Sequence, residues 1–126
     1  MQDKICAIIL TKNEDIHLNR LLKQISKLTD HILVIDSGSE DKTIEIAKKY
    51  NSEILTKKWK NYATQFNFGI AHVQTRYEWI LRIDADEYFH EFNNIANVIR
   101  KIHLGQFDKI NGISLNRKIE FLGHSI

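Results

Sequence analysis

The sequence predicts an α/β fold, an open, doubly wound, mostly parallel sheet with helices on both faces. Three observations predict it. Short apolar runs alternate with amphipathic stretches along the chain, as strands do when crossover helices join them. The apolar runs are continuous rather than alternating, as in strands covered on both sides. The 126 residues, 43% hydrophobic and 27% charged, suit one soluble domain, here spanning 1–126, with a core that needs no staples.

The elements follow in order. Ile5 to Thr11 reads as a strand buried on both faces. Asp15 to Leu28 places Ile16, Leu18, Leu21, Leu22, Ile25 and Leu28 on one helical stripe. Ile32 to Ile35 is a second buried strand, and Asp41 to Tyr50 a helix with Ile44, Ile46 and Ala47 inward. A short strand over Glu53 to Thr56 precedes a helix over Tyr62 to Val73. Glu78 to Ile83 is a strand, Phe92 to Leu104 a helix, and Gly112 to Leu115 the closing strand. Right-handed crossovers make such strands parallel, and ligands bind at their carboxyl ends near the switch in strand order.

Composition excludes several classes. Lys and Arg number 18 against 16 Asp and Glu, which speaks against a nucleic-acid partner. The single cysteine, Cys6, sits inside an apolar run; it forms no internal disulfide and reads as a buried, inert thiol. Six histidines show no i, i+4 pair that would suggest zinc, and there is no proline and no internal repeat. Glycine-rich dinucleotide and P-loop fingerprints are absent. Lys57-Lys58-Trp59-Lys60 reads as a solvated basic loop within reach of phosphates. No stretch has the length of a membrane span, and Met1-Gln2-Asp3-Lys4 does not resemble a signal peptide. The expected location is the cytoplasm, with peripheral contact at the cytoplasmic face of the inner membrane.

Three strand ends gather polar residues: Thr11-Lys12-Asn13-Glu14-Asp15, then Asp36-Ser37-Gly38-Ser39-Glu40-Asp41-Lys42-Thr43, then Asp84-Ala85-Asp86-Glu87. Asp84 and Asp86, at i and i+2 on an extended segment, point to one side and can converge on a hard divalent cation, Mg²⁺ or Mn²⁺. Two anions placed this close after a buried strand cost free energy unless a cation compensates. A solvated acidic turn is the competing reading. At the second strand end, Gly38 permits close backbone approach, and Asp36 can accept a hydrogen bond from a nucleobase or ribose. Capping of the next helix by Ser39 or Asp41 stands beside that as an equal reading.

Read together with Trp59 and Gln65-Phe66-Asn67, these segments resemble a family 2 glycosyltransferase, most of all the bacterial branch that includes the lipopolysaccharide core β-glucosyltransferases. The resemblance runs from about Ile5 to Phe89. It implies a nucleotide-diphospho-sugar transferase (GT-A) fold, a UDP-sugar donor, a divalent metal, a glycan or glycolipid acceptor and inversion at the anomeric carbon. Carried over by position, Thr11, Asn13, Glu14, Asp36, Ser37, Gly38, Gln65, Asn67 and Asp84 would line the donor site, and Asp84 and Asp86 would hold the metal. Two departures stand out: Ser37 where many relatives have a second aspartate, and Phe66 where the branch often has a basic residue. No general base is assigned. The acids after Asp86 are Glu87, Glu91, Asp108 and Glu120, and none sits in a recognisable motif. Members of the family are markedly longer, so the resemblance covers the N-terminal, donor-binding part. Asn116 to His124 then reads as the opening of an acceptor region that is incomplete.

Other readings make different demands. A non-catalytic nucleotide-sugar-binding or interaction module would keep the fold and associate through an exposed sheet edge as a homo-oligomer. A phosphoacceptor receiver would want paired acids where Thr11-Lys12-Asn13 stands, and a sugar-nucleotide pyrophosphorylase a glycine-rich basic loop where Thr11 to Asp15 has no glycine.

Overall fold

The computed structural model describes residues 4–73, 76–107, 109, 112–116 and 119–123. In chain order these form β1 (Ile5–Thr11), α1 (Asp15–Ile25), β2 (Ile32–Asp36), α2 (Thr43–Lys49), β3 (Glu53–Thr56), α3 (Tyr62–Val73), β4 (Trp79–Ile83), α4 (Phe92–His103), β5 (Gly112–Asn116) and β6 (Ile119–Gly123). The sheet runs β3-β2-β1-β4-β6-β5. The first four strands in that order pair in parallel. β6 pairs antiparallel with both β4 and β5. The strand order reverses at β1, which has β2 on one side and β4 on the other.

Two departures from the predicted pattern have physical causes. The first is β6, a strand where the sequence suggests only the opening of an acceptor region. Its Ile119 and Phe121 turn inward while Glu120 and Leu122 are half-buried, a period-2 pattern that fits an antiparallel strand with one deep face. The closing strand therefore pairs with β6 instead of joining the parallel set. The second lies in α1, where Ile16 is 84% exposed, the helix start being pinned to α2 and the turn before it by the Glu14 amide on Thr43 Oγ1 and the Asp15 amide on Asp41. The helix also ends at Ile25, and Leu28 N–H turns back onto Ile25 C=O at 2.8 Å. In α2, Thr43 and Ala47 take the buried positions, with Ile46 packed at the core's margin.

The sheet separates two cores. Ile5, Ala7, Ile9, Ile32, Val34, Trp79, Leu81 and Ile83 face α1, α2 and α4. Cys6, Ile8, Leu33, Ile35 and Ile80 face α3, through Phe66 and Val73. Gly69 lets α3 lie close on this second face. A Cβ there would stand 3.2 Å from Ile8 Cγ2 and 3.4 Å from Ile35 Cδ1.

Candidate functional site

A cavity of about 280 Å³ opens at the carboxyl ends of β1, β2 and β4, where the strand order reverses and open α/β sheets bind ligands. It lies on the α3 side of the sheet, and backbone alternation decides which side chains reach it. Leu10, Ile35 and Ser37 continue the α3-facing set and line it, with Thr11 at the strand end and Lys12 beyond.

Asp36 continues the opposite set. It is 2% exposed and its carboxylate is fully engaged. Oδ1 accepts from Thr11 Oγ1 (2.6 Å) and Ser39 Oγ (2.5 Å), and Oδ2 from the amides of Gly38 (2.9 Å) and Ser39 (2.7 Å). Burial pushes its pKa up, but the bonds from Ser39, Thr11 and Gly38 outweigh burial and hold it below the ordinary value. Gly38 supplies the positive φ (101°) that lets both amides turn inward. Asn13, also at positive φ, laces this turn to the β1 loop by accepting from Glu40 N–H, while its own N–H donates to Ser39 Oγ, both at 2.8 Å. Lys12 Nζ donates to Gly38 C=O at 2.6 Å. Asp41, at the next turn, accepts from Thr43 N–H and Asp15 N–H.

Acidic residues reach the cavity from two loops: Asp84 and Asp86 after β4, with Ala85 between them, and Glu14 after β1. Burial raises the Glu14 pKa, and Asp86, Asp41 and Asp84 raise it further against a lowering contribution from His17. Negative charge is thus concentrated at one rim. Among the described residues no group of three or more His, Cys, Asp and Glu is placed to hold a metal ion, so any cation here would rest on one or two carboxylates. The donor set fits a hard cation that takes a few carboxylate oxygens and completes its shell with phosphate and water.

Trp59, Tyr62 and Gln65 form the remaining wall. Gln65 is fully buried; its Nε2 donates to Lys57 C=O at 2.8 Å, and its Oε1 has no partner among the described residues. Tyr62 hydroxyl accepts from Arg82 Nη1 at 2.7 Å. Arg82 also grips Glu120 across β4 and β6, with Nε and Nη2 at 2.7 and 2.6 Å from Glu120 Oε1. Burial raises the Tyr62 pKa, Arg82 opposes that, and nearby Asp84 adds to it.

The cavity therefore brings together Thr11, Glu14, Ser37, Gln65, Asp84 and Asp86. Asp36, Asn13 and Gly38 build the turn behind its wall, and Asn67 is exposed on α3 outside the lining. Glu87 and Glu91 line a separate hollow with Tyr88, Phe89 and His90. Asp108 lies outside the described residues. The Tyr62–Arg82–Glu120 chain is invisible to the sequence reading. Its one signal is Arg82 standing near the end of β4, two residues before Asp84.

A model of the family described as glycosyl transferase family 2 matches residues 6–118. An uncharacterized glycosyltransferase of Rickettsia conorii is 38% identical over 87 residues, covering 69% of this chain and 30% of that protein. Among solved structures, a mannosyltransferase from Pyrobaculum calidifontis in complex with GDP-Man and Mn²⁺ superposes with a TM-score of 0.71 at 17% identity, covering 94% of this chain and 36% of that one. Glucosyl-3-phosphoglycerate synthase from Mycobacterium tuberculosis, in complex with Mn²⁺, UDP-glucose and glycerol 3-phosphate, superposes with a TM-score of 0.58 at 19% identity, over 68% of this chain and 36% of that one. The two structures share the fold. The matched region spans about a third of the length of these proteins.

Proposed function

The chain belongs to glycosyl transferase family 2, and from that premise we propose that it is the donor-binding domain of a metal-dependent, inverting sugar transferase using a UDP-sugar. The observation that carries the reading is the cavity at the switch point, where a carboxylate rim (Glu14, Asp84, Asp86) meets a partly apolar hollow floored by Leu10 and Ile35. Such a hollow suits a nucleoside, and such a rim would suit a divalent cation beside its diphosphate.

In the reaction an acceptor hydroxyl attacks the anomeric carbon from the face opposite the leaving group. The bond from that carbon to the β-phosphate oxygen breaks, the nucleoside diphosphate departs with the electron pair, and the hydroxyl proton passes to a general base, a role for which no residue is assigned here. A divalent cation bound by Asp84 and Asp86 would neutralise the charge growing on the diphosphate. Thr11, Ser37, Gln65 and Trp59 would hold the nucleoside, and Asp36, Asn13 and Gly38 would keep the β2 turn in the shape that presents Ser37. Fixing the donor in this way lowers the barrier by orientation. Asn67 would meet the donor only at its edge.

The acceptor we propose is a cell-envelope glycan of the lipopolysaccharide-core kind, on the resemblance of the combined strand-end motifs to that branch. The reaction would then lie at the cytoplasmic face of the inner membrane. Among the described residues no helix is long and apolar enough to cross a membrane.

Titration calorimetry with UDP and Mn²⁺ tests the reading. Saturable UDP binding that strengthens with Mn²⁺ and loses that strengthening in Asp86→Ala is expected. Absence of UDP binding, or binding indifferent to both metal and Asp86, overturns it.

A further inference from the structure

The segment after β4 carries Asp84 and Asp86 yet has no regular structure until α4 begins at Phe92. The path of such a loop is set by what holds its main chain. Its turn is closed by Glu87 N–H donating to Asp84 C=O at 3.0 Å. Further holds on this segment come from α1, more than sixty residues earlier in the chain.

Gln24 makes a two-bond clamp on the main chain of Phe89. Its Oε1 accepts from Phe89 N–H at 2.7 Å, and its Nε2 donates to Phe89 C=O at 2.9 Å. This is how a neighbouring strand would bind an extended residue, supplied here by one side chain. Phe89 itself is buried at 3% exposure, so its ring and backbone are both fixed. One helical turn earlier, Arg20 occupies the same face of α1. Its guanidinium stands 4.0 Å from the centre of the Tyr88 ring and donates to Asp86 C=O at 3.4 Å. The two side chains thus grip the loop at 86, 88 and 89. The same helix begins beside Glu14, a third acid lining the cavity.

We propose that Gln24 and Arg20 are positioning residues that set the spacing of the Asp84 and Asp86 carboxylates for a divalent cation. They touch neither cation nor donor; they act through the backbone of the loop. The proposal rests on the reading of Asp84 and Asp86 as the metal-binding pair. It predicts a defect specific to metal, because the nucleoside wall built by β1, β2 and α3 makes no use of Gln24.

Electron paramagnetic resonance of free Mn²⁺, titrated against the chain in the presence of UDP, separates the possibilities. UDP affinity without metal and the thermal unfolding profile are measured in parallel. Gln24→Met keeps the length of the side chain and removes both bonds; Arg20→Ala acts at an exposed position where folding is insensitive. The expected result is a Mn²⁺ dissociation constant raised about tenfold in Gln24→Met, the low end for residues that support metal ligands from behind. A smaller rise in Arg20→Ala is expected, with metal-free UDP affinity unchanged in both. Should Gln24→Met fail to fold, Arg20→Ala alone decides. Unchanged Mn²⁺ affinity in folded variants, or an equal loss of metal-free UDP binding, overturns the positioning role alone. A wild-type chain that binds UDP but no Mn²⁺ overturns the metal reading beneath it.

Discussion

Replacing Asp36 by asparagine separates a structural carboxylate from a ligand-reading one. Asp36 accepts two amide and two hydroxyl hydrogen bonds. Backbone amides only donate, so the asparagine side chain must keep its oxygen toward Gly38 and Ser39 and turn its NH₂ toward the hydroxyls of Thr11 and Ser39. Those hydroxyls can reverse and accept, so no clash is forced. What is lost is charge. Hydrogen bonds to an ionised group contribute about 1.5–3 kcal/mol against about 0.5–1.5 kcal/mol for neutral ones. With the two amide bonds weakened, Asp36→Asn should cost about 2–3 kcal/mol, read by urea unfolding as a lower midpoint with unchanged slope. Asp36→Ala, which leaves the donors unmet, should cost more.

The effect carries its own pH signature. The Asp36 pKa is lower folded than unfolded, so its stabilisation is complete above the unfolded value of about 3.9. It fades as pH falls through the lower folded value. The gap between wild type and Asp36→Asn should therefore be full at neutral pH and narrow in acid. An Asp36→Asn chain of wild-type stability that loses UDP affinity tenfold would refute the reasoning, because the carboxylate would then be engaged with the ligand.

Arg82→Met should leave Glu120 and the Tyr62 hydroxyl without this cation. The expected cost is about 1–3 kcal/mol for this half-buried pair, seen by urea unfolding, with a fall in UDP affinity that Glu120→Gln reproduces more weakly. The Cys6 thiol, pushed up to about 12 chiefly by burial, should stay inert to a disulfide reagent at pH 8 in the native chain and react promptly once denatured.

Much of the parallel half was legible because continuous apolar strands and helical stripes leave few alternatives. Ile5–Thr11 and the 12-residue stretch Tyr62–Val73 show it, and the strand expected over Ile32 to Ile35 runs one residue further, to Asp36. The acidic strand ends were legible too, since sheet topology gathers them whatever the loops do. The division of Asp36 and Ser37 between two faces was harder to see. It follows from period-2 alternation, but only once the neighbouring Ile35 and Val34 have been assigned to different cores. β6 lay hidden because Ile119-Glu120-Phe121 is short and its partner β4 is far away in the chain. Gln24 had no local signal at all. A glutamine on a helix looks solvated, and its partner Phe89 lies 65 positions away.

The strand-to-turn passage Ile35-Asp36-Ser37 assigns neighbouring residues to opposite compartments, so its length is less negotiable than its composition. Deleting or inserting one residue there would swing the anion toward the cavity and turn Ser37 into the oily layer beneath α1 and α2. Diversification of this wall is thus confined to exchange of side chains at fixed spacing, with Ser37 the position freest to change what the pocket prefers.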